Sequence, residues 1–388
     1  MINRINMSEW LTREEALDRL RVRPQTLYAY VSRGRIGMRP DPTDPRRSQY
    51  RADDIAGLAS RRARGRRVSA IAESAIAWGE PAIATTISTV LHGRLIYRGH
   101  DAAMLAAHAT LEETAAILWA APQPPVFGTP APTGSLGEGR PAIFACLATL
   151  AGDGSASLGR GTAALHADAA EAIGALGGAV GAAPGDDPIH ARLARGWSLD
   201  GDGAEAIRRA LVLLADHELN ASTFAARVAA STGAPMAACL LAGLSALSGP
   251  RHGGAGEAVT QLAEDAARHG ASRALERWLD HDRPPPGFGH QLYPEGDVRA
   301  APLLAVADLD DTMRSLRDAA FAMTGARPNI DFALAALTRS LGLPSDAPFR
   351  LFALGRAVGW TAHAVEQVTS RGLIRPRARY EGPLPASD

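Results

Sequence analysis

The sequence predicts an all-α protein built from two or three domains, and three observations carry that expectation. Hydrophobic residues make up 46% and charged residues 21% of the chain, a globular balance with ample material for a core. Aromatic residues are only 5%, while alanine and glycine dominate the middle of the chain, which favours closely packed helices over a β-sandwich. A length of 388 residues exceeds one ordinary domain.

The first element is a basic head. Residues 1–67 hold sixteen arginines against eight acidic residues, a net of +8, and the remainder carries −8, so the whole chain is neutral. Such a head points to an anionic partner. Thr12 and Glu15 match a capping box, followed by the apolar stripe Ala16, Leu17 and Leu20. Pro24 suits the first position of a second helix, continued by Leu27, Tyr28 and Val31 and ended by Gly34. Arg46 to Arg51 predicts a β-hairpin wing, and Asp53-Asp54-Ile55 opens a third helix. Two short helices joined by a tight turn form a helix-turn-helix pattern. Through Leu-Thr-Arg-Glu-Glu-Ala, Thr-Leu-Tyr-Ala-Tyr-Val-Ser-Arg-Gly and the Tyr50 to Asp54 wing exit, Trp10 to Leu58 resembles the winged helix-turn-helix of MerR-type regulators. The resemblance implies that Gln25, Thr26, Tyr28 and Arg33 face duplex DNA while Arg46, Arg47 and Arg51 meet phosphates. The same residues also read as a docking or dimerisation module with solvated arginines. Arg61 to Arg67 reads either as a further phosphate contact or as a linker.

The body follows. Leu111-Glu112-Glu113-Thr114 and Ile117-Leu118-Trp119 predict an amphipathic helix, and the Pro/Gly-rich stretch from Pro122 to Pro141 predicts no regular element. Small-residue helices are expected over Phe224 to Ser231 and Pro235 to Ser248. Ala225 to Leu247 is the most apolar stretch, but Arg227 and Pro235 make it a buried helix pair instead of a membrane span. Cys146 and Cys239 lie in apolar surroundings and read as buried thiols, not as a disulfide or metal site. No apolar run precedes a small-residue cleavage site at the N-terminus, so a cytoplasmic protein is expected.

Three short stretches carry the chemistry: Ser248-Gly249-Pro250-Arg251-His252-Gly253-Gly254, Pro286-Gly287-Phe288-Gly289-His290 and Arg327-Pro328-Asn329-Ile330-Asp331. Two histidines and a carboxylate in turns are what proton abstraction beside a carbonyl requires: a base, a donor to the enolate oxygen, and an acid for the electrophile. Asp331 also reads as an N-cap for a helix starting near Phe332. With Gly93-Arg94-Leu95-Ile96-Tyr97-Arg98-Gly99-His100-Asp101 and Asp216-His217-Glu218-Leu219-Asn220-Ala221-Ser222-Thr223, these stretches closely resemble the citrate synthase family from about Trp78 to Pro383.

The resemblance implies large and small helical domains over residues 74–388, with a small lid at about 254–333, preceded by the winged module at 1–67. It implies condensation of acetyl-CoA with oxaloacetate to citrate in a homodimer. Asp331 is then the base that removes the methyl proton, and His252 the donor to the thioester oxygen. His290 and His217 hold oxaloacetate, and Arg299, Arg356 and Arg375 bind its carboxylates, Arg375 coming from the partner subunit. Neither a metal nor a prosthetic group is expected. Several positions depart from the family pattern: His100 for tyrosine, Arg251 for a small or apolar residue, Gly256 for asparagine, and Gln291-Leu292 for Arg-Val. Only 31 residues separate Arg299 from Asp331, so a trimmed lid is expected. These departures leave open 2-methylcitrate synthesis from propionyl-CoA. The head leaves open a metabolite-sensing DNA-binding regulator built on a synthase body.

Overall fold

A computed structural model describes residues 10–20, 22, 27, 30–31, 36–42, 44, 47–56, 83–128, 139–279, 285–378, 380 and 382. The chain divides into two compact units, Met1–Ala84 and Thr85–Asp388.

In the first unit, β1 (Trp10–Leu11), β2 (Met38–Pro40) and β3 (Ser48–Arg51) form an antiparallel sheet in the order β1-β3-β2. Between β1 and β2 lies α1 (Arg13–Leu20), which opens with the capping box read from the sequence. Thr12 N–H donates to Glu15 Oε2 at 2.8 Å and Glu15 N–H donates to Thr12 Oγ1 at 3.4 Å. Leu11, Ala16, Leu20, Leu27, Ile36, Tyr50, Ala52 and Ile55 make the core of this unit, and residues 52–56 are helical. Gln25, Thr26, Tyr28, Arg33 and Arg46 lie outside the described residues. Arg47 is exposed and pairs with Asp44 at 3.5 Å, while the Arg51 guanidinium lies 5.7 Å from the Trp10 ring.

The second unit begins with a sheet that the all-α expectation missed. Strands β4 (Ser88–Leu91), β5 (Arg94–Tyr97) and β6 (His100–Asp101) run antiparallel in that order. Two-residue turns at His92-Gly93 and Arg98-Gly99 join them, with φ of 50° and 73°, then 44° and 89°. Positive φ at both central positions is the hairpin geometry whose twist matches the strands, and glycine takes the second place without steric cost.

The remainder is helical: α2 (Ala102–Leu105), α3 (Leu111–Trp119), α4 (Arg140–Asp153), α5 (Thr162–Val180), α6 (Ile189–Gly196), α7 (Gly201–Leu214), α8 (Ala221–Ser231), α9 (Met236–Leu247), α10 (Ala255–His269), α11 (Ala271–Leu279), α12 (Ala300–Leu304), α13 (Asp311–Thr324), α14 (Ile330–Ser340) and α15 (Ala347–Ser370). The expected helices at α3, α8 and α9 are present. Helix α4 starts at Arg140, inside the stretch expected to be irregular, because Pro141 suits a first turn that needs no N–H there.

Helix α15 is the axis of the larger core. Twenty of its 24 residues are buried, and α3, α5, α7, α8 and α9 all pack against it. A helix buried nearly all round belongs at the centre of a core. A second cluster, with Val259, Leu262, Leu275, Met313, Leu316 and Phe332, joins α10, α11, α13 and α14. Cys146 and Cys239 are free and buried, and burial pushes their thiols up to about 11 and about 12. No helix among the described residues is long and apolar enough to cross a membrane.

Candidate active site

Four turns and α15 bring a group of polar side chains together in the larger unit. The first turn joins α7 to α8 and holds Asp216, His217 and Glu218. Ser88 clamps it from both sides: its hydroxyl donates to Asp216 Oδ2 and accepts the Glu218 N–H at 3.0 Å. The Tyr97 hydroxyl donates to the Asp216 carbonyl at 3.0 Å. Asn220 then caps α8, its Oδ1 accepting the N–H groups of Ser222 and Thr223 at 3.1 Å each. The strands carrying Ser88 and Tyr97 therefore serve the site by fixing the loop of His217.

Two of the other turns, residues 287–290 and 327–329, are zipped together. Asn329 N–H donates to the Gly287 carbonyl at 2.8 Å, Gly289 N–H to the Arg327 carbonyl at 2.8 Å, and Asn329 Nδ2 to the Gly289 carbonyl at 3.1 Å. Asp297 anchors the pair from below. It accepts Ile330 N–H at 3.0 Å and takes Arg299 as a two-pronged partner, Nε at 2.9 Å and Nη2 at 2.8 Å. Asn329, not Asp331, is the N-cap of α14: Asn329 Oδ1 accepts the N–H of Asp331 at 3.0 Å and of Phe332 at 3.3 Å. The capping role read for Asp331 is thus corrected. Its side chain, one position into the helix, is free of that duty.

His217, His290 and Tyr293 form a tight aromatic group. Ring centroids lie 5.2 Å apart for the two histidines, 5.6 Å for His217 and Tyr293, and 5.0 Å for His290 and Tyr293. The Tyr293 hydroxyl is 2.9 Å from His217 Nε2, and the Arg299 guanidinium lies 5.7 Å from the Tyr293 ring. His252 follows α9, with Nε2 2.9 Å from Ser222 Oγ and its ring edge-on to Phe352 at 5.9 Å. Ser222 Oγ also donates to Asn220 Oδ1 at 2.7 Å and accepts Trp360 Nε1–H at 3.1 Å. On α15, Arg356 is 1% exposed, and Nε donates to the Leu214 carbonyl at 2.8 Å. Its Nη2 is buried without a hydrogen-bond partner among the described residues. A buried guanidinium N–H left unpaired is costly, and a carboxylate ligand is the natural partner.

Electrostatics sets the protonation states. Burial, then the cations Arg356 and Arg299, lower His252 to about 4, and burial and Arg299 lower His290 to about 4. His217 is held well below the usual imidazole range by burial, Arg299 and Arg356. All three are neutral at pH 7 and can donate hydrogen bonds without being acids. Leu292 N–H donates to His290 Nδ1 at 3.1 Å, so that ring carries its proton on Nε2. Burial raises Asp331 to about 6 against the pull of Arg299, with Asp297 pushing the same way as burial. Such a carboxylate is ionised at pH 7 to 8 yet basic enough to take a proton from carbon.

His217, His252, His290, Arg299 and Arg356 fall within one electrostatic neighbourhood, and Asp331 joins it through Arg299. Arg375 does not: it is exposed in the irregular segment after α15. Tyr293, Phe352 and Asp297 received no role from the sequence, and Ser222 only that of capping or bracing its helix. Tyr293, Asp297 and Ser222 stood inside or beside quoted motifs, but the contacts of Ser222 and Phe352 with His252 arise only through folding.

Residues 156–377 match the profile of the citrate synthase C-terminal domain. Citrate synthase 2 of Bacillus subtilis is 38% identical over 190 residues, which are 46% of this chain and 51% of that protein. 2-Methylcitrate synthase 2 of Corynebacterium glutamicum is 39% identical over 192 residues, 45% of this chain and 48% of that protein. The chain thus spans about half the length of the curated relatives it matches. Among solved structures, the ternary complex of Thermoplasma acidophilum citrate synthase with carboxymethyl coenzyme A and oxaloacetate superposes with a TM-score of 0.66 at 25% identity, covering 79% of this chain and 95% of that one. Citrate synthase from Thermotoga maritima gives 0.64 at 26% identity, covering 80% and 96%. With its profile match over more than half its length, the chain belongs to the citrate synthase family.

Proposed function

We propose that this protein condenses oxaloacetate with acetyl-CoA to give citrate and CoA. The observation that carries the reading is a buried site holding two guanidinium groups, three neutral imidazoles and one carboxylate poised near 6. The Thermoplasma acidophilum neighbour holds oxaloacetate beside a coenzyme A derivative, the same pair of ligand classes. Oxaloacetate places its carboxylates on Arg299 and Arg356, with the unpaired Nη2 of Arg356 as one donor. His290 Nε2–H and His217 hold and polarise its ketone.

Asp331 takes a proton from the thioester methyl group, and His252 stabilises the enolate oxygen. The Ser222 hydroxyl, which donates to Asn220 Oδ1, stands 2.9 Å from His252 Nε2 and braces the ring. A donor to the enolate oxygen contributes roughly 3–4 kcal/mol to the transition state. The enol carbon attacks the ketone, and water cleaves the citryl thioester. No metal or prosthetic group enters these steps.

Catalysis belongs to a homodimer in this reading, with α8 and α9 as its face and Arg375 reaching the partner's pocket. We also propose that the N-terminal unit is a winged helix-turn-helix that binds duplex DNA; the α1 capping box, the β2-β3 pair and its exposed Arg47 support this. The test of the activity is CoA release with oxaloacetate and either acetyl-CoA or propionyl-CoA, with the product identified by mass. Release that requires oxaloacetate and favours acetyl-CoA is expected. Preference for propionyl-CoA would make the chain a 2-methylcitrate synthase, since one methylene is worth about 1–3 kcal/mol. No release with either would end the reading.

A further inference from the structure

The backbone around His217 is clamped on both sides, but that clamp does not hold its ring. Asp216 is fixed by Ser88, by the Tyr97 hydroxyl and by His363 Nε2, which lies 3.3 Å from Asp216 Oδ2. Ser88 also takes up the Glu218 N–H. These contacts set the Cα of His217 and leave rotation about its side-chain bonds open. Among the described residues the imidazole makes one hydrogen bond, between Nε2 and the Tyr293 hydroxyl at 2.9 Å.

Tyr293 lies 76 residues further along the chain, in the turn that follows His290, and is anchored there. Its N–H donates to the His290 carbonyl at 3.0 Å, and its carbonyl accepts the Gly296 N–H at 3.0 Å. The residue is 2% exposed, and its ring packs against both imidazoles. A buried phenol in a fixed turn is a firm post for a mobile ring. We propose that Tyr293 is the positioning residue of His217: its hydroxyl pins the imidazole and decides which atom of the pair keeps a proton for oxaloacetate. The inference rests on the reading that this site binds oxaloacetate.

The protons of the pair can be counted. Burial raises the phenol above its ordinary range, so it stays protonated, and the His217 imidazole is neutral. Together they hold two protons, one O–H and one N–H. The contact uses one of them, whichever partner donates. One is left to offer a ligand oxygen, and the contact dictates the atom that carries it, because the bond made by one imidazole nitrogen sets the protonation of the other. Without the hydroxyl, nothing among the described side chains selects the tautomer or the ring orientation.

Tyr293→Phe keeps the ring and removes only the hydroxyl. Calorimetric titration of the full chain should show oxaloacetate Kd raised about three- to tenfold, the range of one hydrogen bond, with the acetyl-CoA KM unchanged within about twofold. In a His217→Ala background the same substitution should change Kd by less than about twofold, because the hydroxyl has lost the group it acts through. An equal loss in both backgrounds, or a loss below about threefold in the unaltered background, would overturn the inference. Nitrogen NMR of isotope-labelled histidines gives a second readout that a merely structural tyrosine would not move. His217 should be a single neutral tautomer in the unaltered chain and a mixture in Tyr293→Phe. A mixture in the unaltered chain, or the same single tautomer in Tyr293→Phe, would also overturn it. Failure of the unaltered chain to bind oxaloacetate would instead sink the functional reading on which the inference rests.

Discussion

Asp331 owes its chemistry to where its backbone stands. Asn329 takes the helix cap, so the Asp331 carboxylate is spared those N–H groups, which would have held it at low pKa. Burial then raises it to about 6, while His252 and His290 sit at about 4. The sign follows directly. The base form is lost as pH falls through about 6, and the two histidines stay neutral down to about pH 5. The profile of kcat/KM should therefore show one acid limb near pH 6, falling about tenfold per unit below it, and no second limb between pH 5 and pH 8. A limb near 6.5 that persists in Asp331→Glu and vanishes in a histidine variant would assign it to imidazole instead. At this scale the motifs were legible. His217, His252, His290, Arg299, Arg356 and Asp331 gather as their stretches implied, whereas the choice of Asn329 over Asp331 as cap was not readable, because both residue types cap well.

The helices of the site are less important than the turns between them. Two turns 40 residues apart are tied by Asn329 to Gly289, and this tie fixes the turn that leads into Asp331. Asn329→Ala should cost about 1 kcal/mol as a lost cap. It should also lower kcat more than it raises the oxaloacetate KM, because the base moves while the arginines stay. Denaturant unfolding and steady-state kinetics check both parts, and reduced stability with unchanged kcat would make the tie merely structural. A capping box marked α1, an amphipathic pattern marked α3, and runs of small residues marked most of α8 and α9. The β4-β6 sheet escaped although its signal was present: His92-Gly93 and Arg98-Gly99 are two-residue hairpin turns between short alternating runs. The Asp216–His363 contact spans 147 residues and becomes visible only once α15 crosses the core.

For the whole molecule, charge and chemistry are divided along the chain. Residues 1–67 carry a net of +8, and every residue assigned to the reaction lies downstream. The full chain should bind duplex DNA with an affinity that falls steeply with salt, because arginine–phosphate contacts release counterions. A version beginning at Val68 should lose that binding and keep its activity. Binding that persists without the head, or activity that disappears with it, would contradict the division. The central claim remains carbon–carbon bond formation initiated by Asp331. Its most direct test compares the unaltered chain with Asp331→Asn at pH 8, measuring oxaloacetate-dependent citrate formation alongside oxaloacetate binding. An amide keeps the shape but cannot accept the methyl proton, so citrate formation should fall by about 10²–10⁴-fold while Kd for oxaloacetate stays within about threefold. Turnover of Asp331→Asn within a few-fold of the unaltered protein would contradict the account.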